Sequence, residues 1–371
     1  MHGRERKSFC KNGVKIMNLE TLKIEPAPDF SRIEKMLSRK SIPDKAPCLE
    51  LRSDLEEKIM GGKIKKQDFK NEIDYSVKLH IEYQYRLGYD FAGIRSDFNF
   101  PQKKSRISEG EKGKAEIVQS GDSLVSNREE FEKYPWPDMS KIDYSPMEKA
   151  KKILPEGMKL LPRVTGGVFE NAMLLVGFEQ ICYYSVENPE FLRDVFKAIG
   201  ERVEQIVKNY ASMDIVGAIA VGDDLGFKTQ TMLSPKMIKE YIFPWHKKIV
   251  KAAHAYNKPI ILHSCGNLRE IYEGIIDCGW DAKHSFEDEI LPIWEFKKQY
   301  GNRISCIGGF DMNKICLYSE EEIRKHTRYL IDTCATGGGF ALGTGNSASS
   351  YVPPENLLTM LEEAWLYGKY R

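Results

Sequence analysis

The sequence of 371 residues lacks an excess of charge of either sign. It contains 55 Lys and Arg residues against 54 Asp and Glu residues, which gives a formal net charge of +1. Proteins that bind nucleic acids normally carry clustered basic charge, so this balance argues against that class. The sequence also lacks an apolar run near the ~18 residues that a membrane span requires. Residues 1–14 are basic and polar, so we expect neither a secretory signal nor a membrane partner.

The chain has no CxxC pair among its 8 cysteines. A chain of this length buries an ample core without disulfides, so scattered thiols indicate a reducing compartment, which we expect to be the cytoplasm. The sequence also contains neither a Walker loop nor a strand followed by GxGxxG. The glycine-rich segment 337–347 is therefore interpreted as tight strand ends rather than a phosphate site.

Short apolar segments alternate along the chain with amphipathic segments. The segments expected to be strands are 46–51, 89–94, 159–164, 215–221, 259–262, 281–285, 304–307 and 339–342. The segments expected to be helices are 75–87, a pair within 178–213, 234–256, 319–333 and 354–366. Eight strands alternating with helices predict an α/β protein with a closed (β/α)8 TIM barrel.

The spacing of these segments also predicts how the chain is divided. We expect an N-terminal extension at 1–43, with one helix at 30–39 that caps the bottom of the barrel. Residues 44–371 then form a single barrel domain. The connection 96–143, between the second and third strands, is far longer than an ordinary loop, so we expect a rim or lid element there.

Polar residues follow most of the expected strands, at the edge where barrel active sites form. His263 and Cys265 follow the fifth strand, and alternation along an extended segment points both side chains the same way. An imidazole and a thiolate so placed favour zinc, which accepts mixed nitrogen and sulfur ligands. The alternative is an ordinary histidine beside a buried thiol.

The sequence leaves the third metal ligand open. The candidates are Asp223, Asp224, His284, Glu287, Cys306 and Cys334. The two cysteines are better explained as core residues, whereas Glu287 is expected at the barrel mouth as a metal ligand or catalytic group. We expect Asp223 or Asp224 to be catalytic, although only one of two adjacent side chains on an extended segment can face the pocket. The residues expected to bind substrate are Arg95, Phe169, Glu170, Asp311, Thr344 and Asn346.

Several segments resemble the uroporphyrinogen decarboxylase superfamily, and within it the corrinoid-dependent methyltransferase branch. They are YPWPD at 134–138, GVFE at 167–170, LVGFE at 175–179, DDLG at 223–226, HSCG at 263–266, GGFD at 308–311 and PENL at 354–357. The resemblance extends from about residue 30 to the end of the chain. It implies a TIM barrel and a zinc site that includes His263 and Cys265.

The chain departs from the family's patterns in two ways. It lacks the Arg-Gln-Ala-Gly-Arg motif of the decarboxylases and has Thr344 where they carry a histidine, so uroporphyrinogen decarboxylation itself is not expected. The methyltransferase branch places a third zinc-binding cysteine near Thr344, where this chain has none. The resemblance therefore implies either that a carboxylate such as Glu287 completes the site or that its metal chemistry has changed. Some relatives that act on methyl ethers use carboxylates in this role.

We therefore predict a zinc-dependent methyltransferase that moves a methyl group between a small substrate, by preference a methyl ether, and a corrinoid. The sequence lacks the Asp-x-His-x-x-Gly signature of corrinoid carriers, so a partner protein must carry the corrinoid. One alternative is a metal-free carboxy-lyase that acts on a tetrapyrrole or another acid, using Arg95, Arg163 and an aspartate. Another is a non-catalytic protein that binds the pigment.

Overall fold

The computed structural model describes residues 18–101 and 123–368, together with the backbone of residues 10–11 and 14–15. Most of the expected extension before residue 18, and the central part of the expected lid at 102–122, lie outside the described residues. Two short strands near the start, β1 (Cys10–Lys11) and β2 (Val14–Lys15), pair in antiparallel fashion.

The centre of the molecule is a parallel sheet. Its strands are β3 (Phe91–Ala92), β4 (Lys159–Leu160), β5 (Arg163–Val164), β6 (Ile219–Gly222), β7 (Ile260–His263), β8 (Ala282–His284), β9 (Ser305–Phe310) and β10 (Phe340–Thr344). Strands β5 to β10 pair in chain order, and β3 pairs with β4. Nearly every side chain in these strands is buried, as expected for a parallel sheet covered on both faces.

The register of the sheet aligns the carboxyl ends of three neighbouring strands. Gly222 of β6 is the partner of His263 in β7, and His263 is the partner of His284 in β8. These three residues therefore lie side by side at the carboxyl edge of the sheet.

The fold is the predicted TIM barrel, and its last strand meets the segment expected as the first strand. Cys48 forms a parallel bridge with Leu342 of β10, and the backbone N–H of Leu49 donates to the carbonyl of Leu342 at 2.8 Å. The expected first strand at 46–51 is shorter than predicted because Pro47 has no N–H to donate to a neighbouring strand. The expected third strand is likewise interrupted at Pro162, which separates β4 from β5.

Helices surround the barrel. They are α1 (Ser31–Ser38), α2 (Glu56–Met60), α3 (Glu72–Arg86), α4 (Arg128–Lys133), α5 (Ser145–Ile153), α6 (Val168–Val176), α7 (Phe178–Glu187), α8 (Pro189–Ala211), α9 (Pro235–Met237), α10 (Phe243–His254), α11 (Tyr272–Asp277), α12 (Ile293–Tyr300), α13 (Met312–Leu317), α14 (Glu320–Cys334) and α15 (Pro354–Tyr367). Short 3-10 turns occur at Lys66–Asp68, Met139–Lys141 and Arg269–Ile271. No helix in the described ranges is both long and apolar enough to cross a membrane.

Local sequence signals set several helix ends. Ser319 and Glu322 form the predicted capping box of α14, with reciprocal side-chain to backbone hydrogen bonds. Ser234 caps α9 by accepting from the backbone N–H of Met237 at 3.3 Å. The helix that follows is not uniform, since Ile238–Ile242 form a π-helical turn just before Pro244. A proline inside a helix removes one backbone donor and crowds the preceding turn, which accounts for this irregularity.

Helix α1 lies across the end of the barrel opposite the mouth. The Ser305 hydroxyl donates to the carbonyl of Met36 at 2.8 Å, and the Arg39 guanidinium donates to the carbonyl of Asp281 at 2.9 Å. Asp281 and Ser305 lie at the amino ends of β8 and β9. The boundary at residues 43/44 stays a prediction.

The described part of the long connection packs on the neighbouring helices. The backbone N–H groups of Leu124 and Val125 both donate to the carbonyl of Leu175, at 2.8 and 3.0 Å. The Tyr134 hydroxyl donates to the carbonyl of Pro101 at 2.6 Å, which ties the two described ends of the connection together. A lid function for 96–143 stays a prediction.

Candidate metal centre

The ends of β6 and β7 meet at the barrel mouth through two glycines. Gly266 has a φ of +80°, a conformation that other residues rarely adopt. A Cβ atom on Gly266 would lie 2.4 Å from the carbonyl carbon of Gly226, and one on Gly226 would lie 2.6 Å from the carbonyl oxygen of Cys265. Only glycine permits this approach, which brings the segment after β6 against the segment after β7.

This approach assembles three different donor atoms. Asp224, His263 and Cys265 each offer one ligand atom, and these atoms all lie within 4.8 Å of one another. Nε2 of His263 is 3.5 Å from Sγ of Cys265 and 3.7 Å from Oδ1 of Asp224. The backbone N–H of Cys265 donates to Oδ1 of Asp224 at 2.8 Å, which fixes the carboxylate beside the thiol. Oxygen, nitrogen and sulfur donors at one strand edge form a candidate metal site.

The structure separates the two adjacent aspartates. Asp223 is 0% exposed, and its oxygens accept from the backbone N–H groups of Val168, Phe169 and Glu170 at 2.9–3.1 Å. Oδ2 of Asp223 is also 2.8 Å from Nε2 of His246. Asp223 therefore holds the first turn of α6, and Asp224 is the one of the two that lies with His263 and Cys265.

Asp224, rather than the expected Glu287, joins His263 and Cys265. Within the described part of the chain, the group of potential ligands contains those three residues and not Glu287. Glu287 follows the next strand and lines a small cavity with Lys283 and Ser285. The physical reason for the position of Asp224 is the loop path, because the contact between the two glycines folds the segment after β6 toward Cys265.

The other candidate ligands lie elsewhere. His284 is on the far side of His263 from the thiol, with its Nδ1 atom 2.7 Å from Nδ1 of His263. Cys306 is fully buried, and its thiol lies 3.7 Å from the carbonyl of Gly339 at the start of β10. Cys334 is also fully buried, at the end of α14. Both cysteines are core residues, as the sequence indicated.

Burial sets the protonation of the three potential ligands. It raises the pKa of the Cys265 thiol to about 12, and the charge of Asp224 acts in the same direction. Burial lowers the pKa of His263 well below its ordinary value, and it raises the pKa of the Asp224 carboxyl. The imidazole is therefore neutral and can offer a lone pair to a metal ion, whereas the thiol keeps its proton until a metal ion displaces it.

Two of the expected substrate-binding residues, Asn346 and Glu170, lie near the three potential ligands. The side-chain amide of Asn346 donates to Sγ of Cys265 at 3.2 Å. The Glu170 carboxylate and the Arg163 guanidinium both approach Gly222, since a Cβ atom there would lie 3.5 Å from Oε2 of Glu170 and 3.4 Å from Nη2 of Arg163. Burial, followed by the charge of Asp224, raises the pKa of Glu170 to about 8.

The remaining expected substrate-binding residues have other partners. Phe169 is fully buried in the first turn of α6. Asp311 caps α13 by accepting from the backbone N–H groups of the next turn. Thr344 is buried and contacts both carboxyl oxygens of Glu50 through its N–H and hydroxyl groups. Arg95 is exposed and donates to the hydroxyl of Thr165.

Sequence reasoning missed the contacts that hold the ligands in place. The pairing of His284 with His263 had an available signal, because two consecutive strands both end in histidine. The contact of Asp224 with the backbone of Cys265 had none, since it depends on how two loops approach each other in space.

Comparison with known proteins places the chain in a family. Residues 33–365 match the family described as uroporphyrinogen decarboxylase (URO-D). The methylated-thiol–coenzyme M methyltransferase of Methanosarcina mazei is 26% identical over 130 residues, covering 35% of this chain and 33% of that protein. The methylcobamide:CoM methyltransferase MtaA of Methanosarcina barkeri is 24% identical over 144 residues, covering 38% and 40%.

A decarboxylase and a solved structure are also similar. The uroporphyrinogen decarboxylase of Geobacter sulfurreducens is 24% identical over 173 residues, covering 46% of this chain and 48% of that protein. The chain thus spans between a third and about half of the length of the curated relatives it matches. The solved structure of a methyltransferase from Methanosarcina mazei covers 90% of this chain and 97% of its own, with a TM-score of 0.67 and 15% identity. At this identity the likeness shows the shared fold alone.

Proposed function

The chain belongs to the uroporphyrinogen decarboxylase family, and from that membership we propose that it is a zinc-dependent methyltransferase. It moves a methyl group between a small substrate, by preference a methyl ether, and a corrinoid carried by a partner protein. The observation that carries the proposal is the group formed by Asp224, His263 and Cys265 at the barrel mouth. The names of two relatives, which specify methyl transfer to coenzyme M and in one case from methylcobamide, support it.

The donor set fits zinc. One oxygen, one nitrogen and one sulfur donor lie within 4.8 Å of one another, and catalytic zinc sites commonly use three protein ligands with one open position. A thiolate donor disfavours magnesium and calcium, which prefer oxygen ligands. Bound zinc supplies a Lewis acid that polarises the heteroatom of the substrate.

The chain's own residues prepare the site for the metal. Cys265 must give up its proton to become a ligand, and the amide of Asn346, 3.2 Å from Sγ, stabilises the resulting thiolate. The backbone N–H of Cys265 donates to Oδ1 of Asp224 at 2.8 Å, which holds the carboxylate beside the thiol.

Glu170 is suited to supply a proton to the substrate. When a methyl group leaves an ether, the oxygen that remains must take up a proton. The pKa of Glu170 is raised to about 8 by burial and the charge of Asp224, so its carboxyl group holds a proton at neutral pH. Arg163 lies beside it, and among the described residues its buried Nε atom has no hydrogen-bond partner. That guanidinium can bind an anionic group of the substrate.

The oxygen ligand favours an ether over a thiol as substrate. A carboxylate donates less charge to a metal ion than a thiolate does, so a site with a single thiolate leaves the metal more electrophilic. A stronger Lewis acid is what the departure of a methyl group from oxygen requires.

The test is methyl transfer from substrate to a free corrinoid. Zinc-loaded protein is incubated under reducing conditions with cob(I)alamin and a panel of aryl methyl ethers and methylated thiols, and formation of methylcobalamin is followed by its absorbance. We expect transfer from an ether that is abolished by a zinc chelator and by Cys265→Ser, and that returns when zinc is restored to the wild type.

A carboxy-lyase is the second candidate, because a uroporphyrinogen decarboxylase is among the relatives and Arg163 lies beside Gly222 at the end of β6. Release of CO2 from a tetrapyrrole or another acid that survives both the chelator and Cys265→Ser would contradict the methyltransferase and support this alternative.

A further inference from the structure

Two buried histidines stand side by side behind the candidate metal site. His263 and His284 are register partners on β7 and β8, and their ring centroids are 4.9 Å apart. Their Nδ1 atoms are 2.7 Å apart, which is a hydrogen-bond distance. His284 is 0% exposed, and Nε2 on the other side of its ring lies 3.3 Å from the backbone carbonyl oxygen of Thr344.

The direction of each hydrogen bond follows from the last acceptor in the series, the carbonyl oxygen of Thr344. A carbonyl oxygen only accepts, so Nε2 of His284 carries a hydrogen. Nδ1 of a neutral His284 then accepts, and Nδ1 of His263 must donate to it. A neutral His263 with its hydrogen on Nδ1 keeps its lone pair on Nε2. That atom is the one 3.5 Å from Sγ of Cys265 and 3.7 Å from Oδ1 of Asp224.

Glu50 and Gly308 fix the position of the two groups at the end of this series of hydrogen bonds. The backbone N–H of Thr344 donates to buried Glu50, which anchors the peptide at the end of β10. Gly308 has a φ of +101°, and a Cβ atom there would lie 2.6 Å from the carbonyl oxygen of Thr344 and 3.1 Å from the ring of His284. The absence of a side chain at this position leaves room for the ring and the carbonyl to meet.

We propose that His284 is a positioning residue for the metal site. It fixes the tautomer and the ring orientation of His263, so that the Nε2 lone pair faces Cys265 and Asp224. The inference rests on the proposed metal site and adds to it a residue that does not touch the metal. A hydrogen bond to the second nitrogen of a ligating histidine commonly changes metal affinity by about 10–100-fold.

The test compares two substitutions of nearly equal size. His284→Asn places an amide oxygen near the position of Nδ1, where it still accepts from His263, whereas His284→Leu offers no acceptor. His326→Leu is the control, because this half-buried histidine of α14 packs on Phe310, outside the site. Each full-length protein is loaded with Co²⁺ against a chromophoric chelator, and the visible absorption of the bound ion is recorded.

We expect His284→Leu to lower Co²⁺ affinity by about 10–100-fold and to shift the absorption bands. We expect His284→Asn and His326→Leu to retain nearly the affinity and bands of the wild type. Wild-type affinity in His284→Leu would overturn the inference, as would His284→Asn being as weak as His284→Leu, because the effect would then come from lost packing. Failure of the wild type to bind Co²⁺ would instead overturn the metal site itself.

A second measurement does not depend on the variants folding. In the wild-type Co²⁺ protein in water, the Nδ1 proton of a histidine bound through Nε2 gives a strongly shifted, exchangeable proton NMR resonance. We expect one such resonance, protected from exchange by its hydrogen bond to His284. Its absence would contradict the assigned tautomer even if methyl transfer were observed.

Discussion

At the scale of single residues, the neighbours Asp223 and Asp224 have opposite environments. Asp223 is buried and surrounded by three backbone N–H donors and His246. Asp224 is partly exposed and faces His263 and Cys265. Identical side chains one position apart therefore hold the first turn of α6 in one case and, in the proposed function, bind the metal in the other.

Exchanging each aspartate for asparagine separates these roles. We expect Asp223→Asn to lower the free energy of unfolding by about 3 kcal/mol, because an amide nitrogen replaces an oxygen that accepts buried hydrogen bonds. We expect Asp224→Asn to leave stability nearly unchanged and to weaken zinc binding, since a neutral amide is a poorer ligand. Urea unfolding and zinc titration of the two variants check this, and equal effects of both on zinc affinity would contradict the assignment.

The protonation of Cys265 predicts how metal binding depends on pH. Its thiol has a pKa raised to about 12 by burial, so a metal ion must displace a proton at neutral pH. Affinity should therefore rise with pH, by about tenfold per pH unit for the one proton released. Co²⁺ titrations between about pH 6.5 and about pH 8 measure the slope. A pH-independent affinity, or an unchanged slope in Cys265→Ser, would contradict a role for the thiolate.

Residue patterns predicted part of the site and could not predict the rest. His263 and Cys265 were identifiable because alternation on a strand depends only on local backbone geometry. Glu287 as a ligand stays a prediction, whereas Asp224, another of the candidates, lies with His263 and Cys265 because of the path of two loops past Gly226 and Gly266.

At the scale of elements, the ends of α14 illustrate what short sequence motifs determine. Ser319 accepts from the backbone N–H of Glu322, and the Glu322 carboxylate accepts from the backbone N–H of Ser319 at 2.8 Å. Both bonds lie within four residues, so spacing alone predicted them.

We expect Ser319→Ala to lower the free energy of unfolding by about 1 kcal/mol, since the N–H groups of the first turn lose an acceptor. Zinc affinity should not change, because α14 begins at the exposed periphery. Thermal unfolding and zinc titration check both statements. A stability equal to that of the wild type would show that water satisfies the helix end as well as Ser319 does.

Elements whose limits depend on tertiary contacts were predicted less well. The first strand was expected at 46–51 and is reduced to a bridge at Cys48, next to Pro47. The strand expected at 215–221 begins at Ile219, after Gly217, where a Cβ atom would lie 2.2 Å from the ring of Phe30. The interruption at Gly217 arises where a residue distant in the sequence packs closely. A local sequence pattern cannot predict such a contact.

At the scale of the whole molecule, a buried carboxyl group stands where the barrel closes. Glu50 follows the first strand and lies 2.7 Å from the hydroxyl of Thr344 at the end of β10. That hydroxyl also contacts the carbonyl of Asn346, which only accepts. The hydroxyl of Thr344 has one hydrogen, which it can donate to the carbonyl of Asn346. It can then accept a hydrogen bond from Glu50 if the carboxyl group of Glu50 is protonated. Burial raises the pKa of Glu50 to about 8, in agreement with this arrangement.

The raised pKa of Glu50 predicts that stability falls as pH rises. Between the ordinary pKa of 4.5 and about 8, the folded protein binds one proton more than the unfolded chain, so each pH unit lowers the free energy of unfolding. We expect the wild type to lose on the order of 4 kcal/mol relative to Glu50→Gln between about pH 4.5 and about pH 8. Glutamine keeps the donor and does not titrate. Denaturant unfolding at several pH values checks this, and parallel curves for the two proteins would contradict it.

The arrangement of the molecule places its proposed chemistry at one end. Helix α1 covers the amino ends of the strands, while Asp224, His263 and Cys265 stand together at the carboxyl ends. The eightfold alternation of strands and helices was sufficient to predict this polarity, because parallel strands share one orientation. The substrate is not encoded in that alternation; in the proposed function it depends on the side chains around Arg163 and Glu170.

The most direct test of the account is the metal content of anaerobically purified protein, with His263→Ala and the control His326→Ala beside the wild type. The account predicts about one zinc per chain in the wild type and in His326→Ala, and none in His263→Ala. A wild-type protein that binds no metal even when zinc is supplied, or a His263→Ala variant that retains it, would contradict the account.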